Sequence, residues 1–184
     1  RRILDVATGT ADLAIAALRT DPEHITGIDI SEGMLSVGRQ KLVERHLADR
    51  ITLEQGDSEA LRFADDTFDA ITAAYGVRNF EHLDRGLAEM RRVLRPGGKL
   101  VILEFSKPRA FPLKQMYNGY FRFILPQFGR LISKDASAYT YLPESVQAFP
   151  DGEAFLDHLR GAGFRQVRWQ PLTFGISSLY TATK

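Results

Sequence analysis

Three polar turns in this chain carry side chains able to hold a nucleoside. The first lies in LDVATGTADLA, residues 4–14, where Gly9 and Thr10 separate an apolar run from a helix-forming run. Gly9 allows a ligand to approach the backbone closely, and the amides that open the following helix add donors. The second ends the run GIDI, placing Asp29 20 residues after Gly9. A carboxylate there can accept from both hydroxyls of a ribose. The third is QGDSE, where Asp57 can accept from the exocyclic amine of an adenine beside the Ser58 amide. A single such turn is often only a helix cap. Three at the ends of successive strand-like runs favour an adenosine-bearing ligand.

The glycine count selects among such ligands. A dinucleotide fingerprint needs three glycines so that a pyrophosphate can sit on bare backbone, and this turn has only Gly9. The phosphate-loop pattern G-x-x-x-x-G-K-[ST] is absent as well. S-adenosyl-L-methionine has no phosphate. Its ammonium, carboxylate and sulfonium fit a slightly bulkier turn, to which Thr10 adds a hydroxyl.

The elements that must position these turns follow from hydrophobic pattern. Apolar runs at 3–6, 25–30, 51–55, 68–74 and 99–105 read as buried parallel strands. Helical patterns fill the gaps at 11–19, 32–46 and 83–94, with Ser31 as the N-cap of the second. In the third, apolar residues at 83, 87, 90, 93 and 94 keep helical spacing until Pro96 and two glycines stop it. A helix at 151–160 and strands at 165–170 and 173–181, joined by Gln170-Pro171, close the chain. Alternating strands and helices predict an α/β domain with right-handed crossovers. The closing hairpin predicts an antiparallel strand near one edge. The chain opens abruptly, two residues before its first strand, so an upstream segment is expected.

Composition sets the outer bounds. A chain of 184 residues fits one domain, and its formal net charge of +1 gives no global field for nucleic acid. Without cysteine there are no disulfides, thiolate metal sites or cysteine nucleophiles, which is compatible with a reducing cytoplasm. The four histidines, at 24, 46, 82 and 158, are scattered, so no metal is expected. No apolar run approaches the roughly 20 residues that span a bilayer.

The ordered segments LDVATGTADLA, GIDISEGML, QGDSEAL, FDAITAAYGVRNF and VLRPGGKLVILEFSKP resemble class I SAM-dependent methyltransferases. YGVRNFEHLDRGLAEMRRVLRPGGKLVILEFSKP and YTYLPESVQAFPDGEAF narrow the resemblance to the ubiquinone/menaquinone C-methyltransferase family, over essentially the whole chain. It implies a Rossmann-like, mostly parallel seven-stranded sheet with helices on both faces, and residues 107–142 as a cap over the acceptor site. Thr10, Asp29, Asp57 and Ser58 match the family's SAM-contacting positions. The family usually has glycine where this chain has Ala11, and serine where it has Ala74.

The implied reaction methylates demethylmenaquinol on a ring carbon to give menaquinol. A ubiquinone precursor (2-methoxy-6-polyprenyl-benzoquinol), another small aromatic acceptor, or a non-catalytic SAM-binding scaffold remain alternatives. A deprotonated hydroquinone has a nucleophilic ortho carbon, so alignment and anion stabilisation should carry the catalysis. Arg78 and Asn79 form the RN pair characteristic of the family. Arg78 stays protonated and suits a phenolate or a water that takes the proton. His82 titrates near neutrality and is either the base or a surface residue opening the next helix. Tyr75, Tyr139 and Tyr141 are candidates for the acceptor pocket or for ordinary packing. Residues 107–134 hold six Lys/Arg, six aromatics and no acid. That mixture suits a cap packed on the sheet, or a surface touching anionic lipid. The expected partners are a polyprenylated quinol and, peripherally, the inner face of the membrane, with homodimerisation open.

Overall fold

The computed structural model describes residues 1–109, 111–119 and 144–184. Its strands are β1 (Arg2–Val6), β2 (His24–Asp29), β3 (Ile51–Gln55), β4 (Phe68–Ala74), β5 (Leu94–Phe105), β6 (Arg165–Leu172) and β7 (Ser177–Thr183). They form one sheet in the order β3-β2-β1-β4-β5-β7-β6. Neighbours from β3 through β5 are parallel, and β7 runs antiparallel to both β5 and β6. The expected antiparallel strand is therefore β7, one place in from the edge.

Side chains alternate across the sheet and build a core on each face. Ile3, Ile25 and Leu53 pack with Ala14 of α1 (Asp12–Ala17) and with Leu35 and Leu42 of α2 (Glu32–Glu44). Leu4, Val6 and Ile28 face the other way. There they meet Leu87, Met90 and Val93 of α3 (Leu83–Val93) and, in the same core, Phe155 and Leu159 of a later helix, Glu153–Gly161. Ser31 caps α2 as expected, its hydroxyl accepting from the Met34 amide. A short helix α4 (Leu113–Gly119) precedes that later helix, here α5.

Two boundaries differ from the sequence expectation, each for a physical reason. The Pro96-Gly97-Gly98 stretch lies within β5 as an irregularity. Leu94 pairs with Phe68, and regular pairing resumes at Lys99 opposite Ala70. Pro171 lies inside β6 rather than between strands, which an edge strand tolerates because one side needs no amide donor. The turn to β7 is the helical segment Thr173–Gly175. Most of the 107–142 cap, with Tyr139 and Tyr141, lies outside the described residues.

Candidate functional site

Strand order reverses between β1 and β4, the place where open α/β sheets bind ligands. The turns after β1, β2, β3 and β4 surround a cavity of about 730 Å³, within the range of small-molecule sites. Gly9, Thr10, Asp29, Asp57, Ser58 and Asn79 all line it.

Backbone donors fix the central carboxylate. Asp29 Oδ2 accepts from the Gly9 amide at 2.8 Å and Oδ1 from the Ser31 amide at 2.9 Å. One amide comes from each flanking turn, so the side chain cannot rotate away. Each oxygen keeps lone-pair capacity for a ligand hydroxyl. Gly9 has φ +55, so the conformation calls for glycine, while the one atom near a Cβ there, Met34 Cε at 2.9 Å, is the tip of a flexible side chain that can move. Asp57 is held by its own turn, Oδ1 accepting from the Glu59 amide at 2.8 Å. Thr10 is tied back to Asp12 and Lys41, its hydroxyl donating to Asp12 at 2.8 Å.

Asp5 also lines the cavity, and sequence reasoning passed over it. It is 1 % exposed and accepts from the Thr8 and Thr72 hydroxyls, both at 2.6 Å. Burial pushes its carboxyl up from 3.8 to about 6, against the hydroxyls, which pull it down. The available signal was an acid set inside an apolar strand run.

The β1 and β4 turns interlock. Ala7 and Tyr75, each the first residue after its strand, have φ 54 and φ 57 in the left-handed region. A Cβ on Gly76 would lie 2.3 Å from Ala7 Cβ. Glycine at 76 thus accommodates alanine at 7, and the glycine missing from the first turn has its counterpart across the switch point.

On the acceptor side the charges are committed internally. Arg78 Nη1 donates to Glu104 Oε1 at 2.9 Å and to the Tyr75 carbonyl, and Nε donates to Ser145 at 3.3 Å. Its guanidinium also lies 5.1 Å above the Phe105 ring. Glu104, fully buried, takes the Arg78 and Phe105 amides as well. Arg78 is absent from the cavity lining, and its contacts make it a brace for the turn carrying Tyr75 and Asn79. Tyr75 faces the cavity, with its ring 4.4 Å from Phe105 and its hydroxyl 3.2 Å from Ser177. His82 is the N-cap residue of α3, its side chain 62 % exposed and its ring nitrogen 2.9 Å from Glu59. Glu59, not His82, reaches the cavity. Burial raises the Glu59 carboxyl, but bonds from the His82 amide and ring outweigh that and hold it below the ordinary range. Glu104 left no signal in sequence, because its partner stands 26 positions away on a neighbouring element.

Comparison with known proteins matches this architecture. The model of the ubiE/COQ5 methyltransferase family matches residues 1–184. A demethylmenaquinone methyltransferase of Bacteroides fragilis is 52% identical over 185 residues, covering 100% of this chain and 76% of that protein. A ubiquinone/menaquinone biosynthesis C-methyltransferase of Geobacter sulfurreducens is 48% identical, covering 100% and 72%. Among solved structures, Haemonchus contortus phosphoethanolamine N-methyltransferase 2 in complex with S-adenosyl-L-methionine superposes with a TM-score of 0.74 at 15% identity, covering 100% of this chain and 48% of that one. The last shares the fold alone. With the family match spanning residues 1–184 and relatives about half identical along the whole of this chain, it belongs to the ubiE/COQ5 methyltransferase family.

Proposed function

We propose that this chain is a SAM-dependent C-methyltransferase acting on demethylmenaquinol to give menaquinol. The observation that carries the reading is the convergence of four strand-end turns on one cavity, with Asp29 pinned by two amides at its centre. The donor set fits S-adenosyl-L-methionine. Asp29 suits the ribose, Asp57 and the Ser58 amide suit the adenine, and Gly9 with Thr10 and buried Asp5 suit the amino-acid end. When bound, the cofactor supplies an electrophilic methyl on a sulfonium. The chain's own groups do the rest. Tyr75, backed by Phe105, and Phe80 form the aromatic lining of the acceptor side, where Asn79 adds a polar residue. Arg78, braced by Glu104, keeps that turn in place. His82 enters through Glu59, which it fastens at the rim.

The demethylmenaquinone names carried by relatives such as that of B. fragilis favour this acceptor over the ubiquinone precursor. The test supplies methyl-labelled SAM with each quinol precursor and follows products by mass spectrometry. Label on the demethylmenaquinol ring is expected. SAM binding without label on either quinol would favour a scaffold.

A peripheral contact with the inner face of the membrane completes the reading. Phe111 and Met116 are 81% and 67% exposed on a stretch that also carries Lys107, Arg109 and Lys114. Among the described residues no helix is long and apolar enough to cross a membrane. Co-sedimentation with anionic vesicles should be salt-sensitive, and its absence would remove this part of the reading.

A further inference from the structure

A second cleft, of about 370 Å³, opens where β5 leaves the sheet beside the β6–β7 hairpin. It lies at the same end of the sheet as the cofactor cavity, because β7 runs antiparallel and begins where β5 ends. The two openings flank the sheet's end on opposite faces: Tyr75 lines the first and its hydroxyl meets Ser177, while the next residue, Ser178, turns to the other face and floors the cleft.

Every polar group named in the cleft is already partnered. Trp169 Nε1 donates to Ser178 Oγ, Ser178 to Ser106 Oγ, and Ser106 to the Gly175 carbonyl, each at 2.8 Å. Lys107 bonds the Gln147 and Phe149 carbonyls and pairs with Asp151. Arg109 lies 4.9 Å over the Trp169 ring and 3.7 Å from the same carboxylate. A polar ligand would find these donors engaged, whereas an apolar one displaces only water from Trp169, Pro171 and Phe174. Phe174 forms the outer wall. It is 78% exposed, and it and Thr173 have φ 58 and φ 47. Two successive non-glycine residues in the left-handed region are unfavourable, and here they hold an aromatic ring in solvent.

We infer that this cleft receives the first part of the acceptor's isoprenoid side chain, leading away from the ring held near Tyr75. The inference rests on the quinol reading above. Its test has two arms on the full chain. Trp169 is the sole tryptophan, so its emission reports occupancy directly. Titration with farnesol should give a saturable change, about 10-fold weaker in Phe174→Ala and largely recovered in Phe174→Leu. In turnover, Phe174→Ala should raise KM for a short prenylated quinol about 10-fold with kcat held, and leave a quinol lacking the side chain unaffected. Phe174 is exposed, so the variant keeps its fold. No saturable change, equal affinity in the variant, or an equal loss on both quinols would overturn the inference. If the unmodified chain methylates neither quinol, the quinol reading itself fails and the tail assignment falls with it, whatever the titration shows.

Discussion

On the β1–β3 side of the cavity, Asp5, Asp29 and Asp57 stand at strand ends with no ion-paired cation among the described residues, held instead by amides and hydroxyls. On the β4–β5 side, Arg78 and Glu104 neutralise each other, and an aromatic surface is left facing the cavity. Carboxylates aimed by neutral donors keep lone pairs for a polar ligand. A buried ion pair spends its charge on geometry and leaves the surface to an apolar ring.

The comparison breaks most severely at Glu104. Glu104→Gln strands the Arg78 guanidinium without its counter-charge, and we expect a loss of about 3–5 kcal/mol in chemical denaturation. Quinol turnover should fall while calorimetric SAM affinity in the folded fraction holds. Equal damage to both ligands would erase the distinction between the two sides.

Gly76→Ala tests the seam between them. Its new methyl collides with Ala7 Cβ, so about 1–3 kcal/mol of stability should be lost, with weaker SAM binding. Adding Ala7→Gly removes the collision, because the next atom, Ala7 Cα, lies 3.7 Å away. Thermal unfolding of the double variant should return most of the loss.

Asp5 sharpens the cofactor side through pH. Its folded carboxyl titrates near 6, above the ordinary 3.8, so the folded state holds this proton more tightly than the unfolded chain does. The group costs no stability below about pH 4, an increasing amount as pH rises through 6, and a constant amount of about 3 kcal/mol above. The charged form attracts a cationic ligand, so SAM affinity should rise from pH 5 to 7. Asp5→Asn should flatten both profiles.

The smallest effect belongs to Ala11. Its φ of 68 favours glycine, but its buried methyl packs in the core on the α1–α2 face. Ala11→Gly relieves strain, loses packing and loosens the unfolded chain, for a net change within about 1 kcal/mol. SAM affinity should barely move in calorimetry.

The same division governs what sequence could reveal. Asp29 and Asp57 were legible because each follows an apolar run and is fixed by neighbouring backbone. The β1–β4 strands and α3 were legible through unbroken periodicity. Glu104 was not, since its pairing with Arg78 depends on β5 lying beside β4. Pro96 and Pro171 read as breaks, yet a ladder irregularity and an edge position accommodate them. Arg78 was legible as half of the RN pair, but nothing local announced its buried partner Glu104.

Calorimetric titration of Asp29→Ala with SAM tests whether the end of β2 holds the cofactor's ribose. Loss of a charged acceptor for two ribose hydroxyls should weaken binding by about 10- to 100-fold, with the circular dichroism spectrum unchanged. Unchanged affinity would contradict the placement of the cofactor at these strand ends.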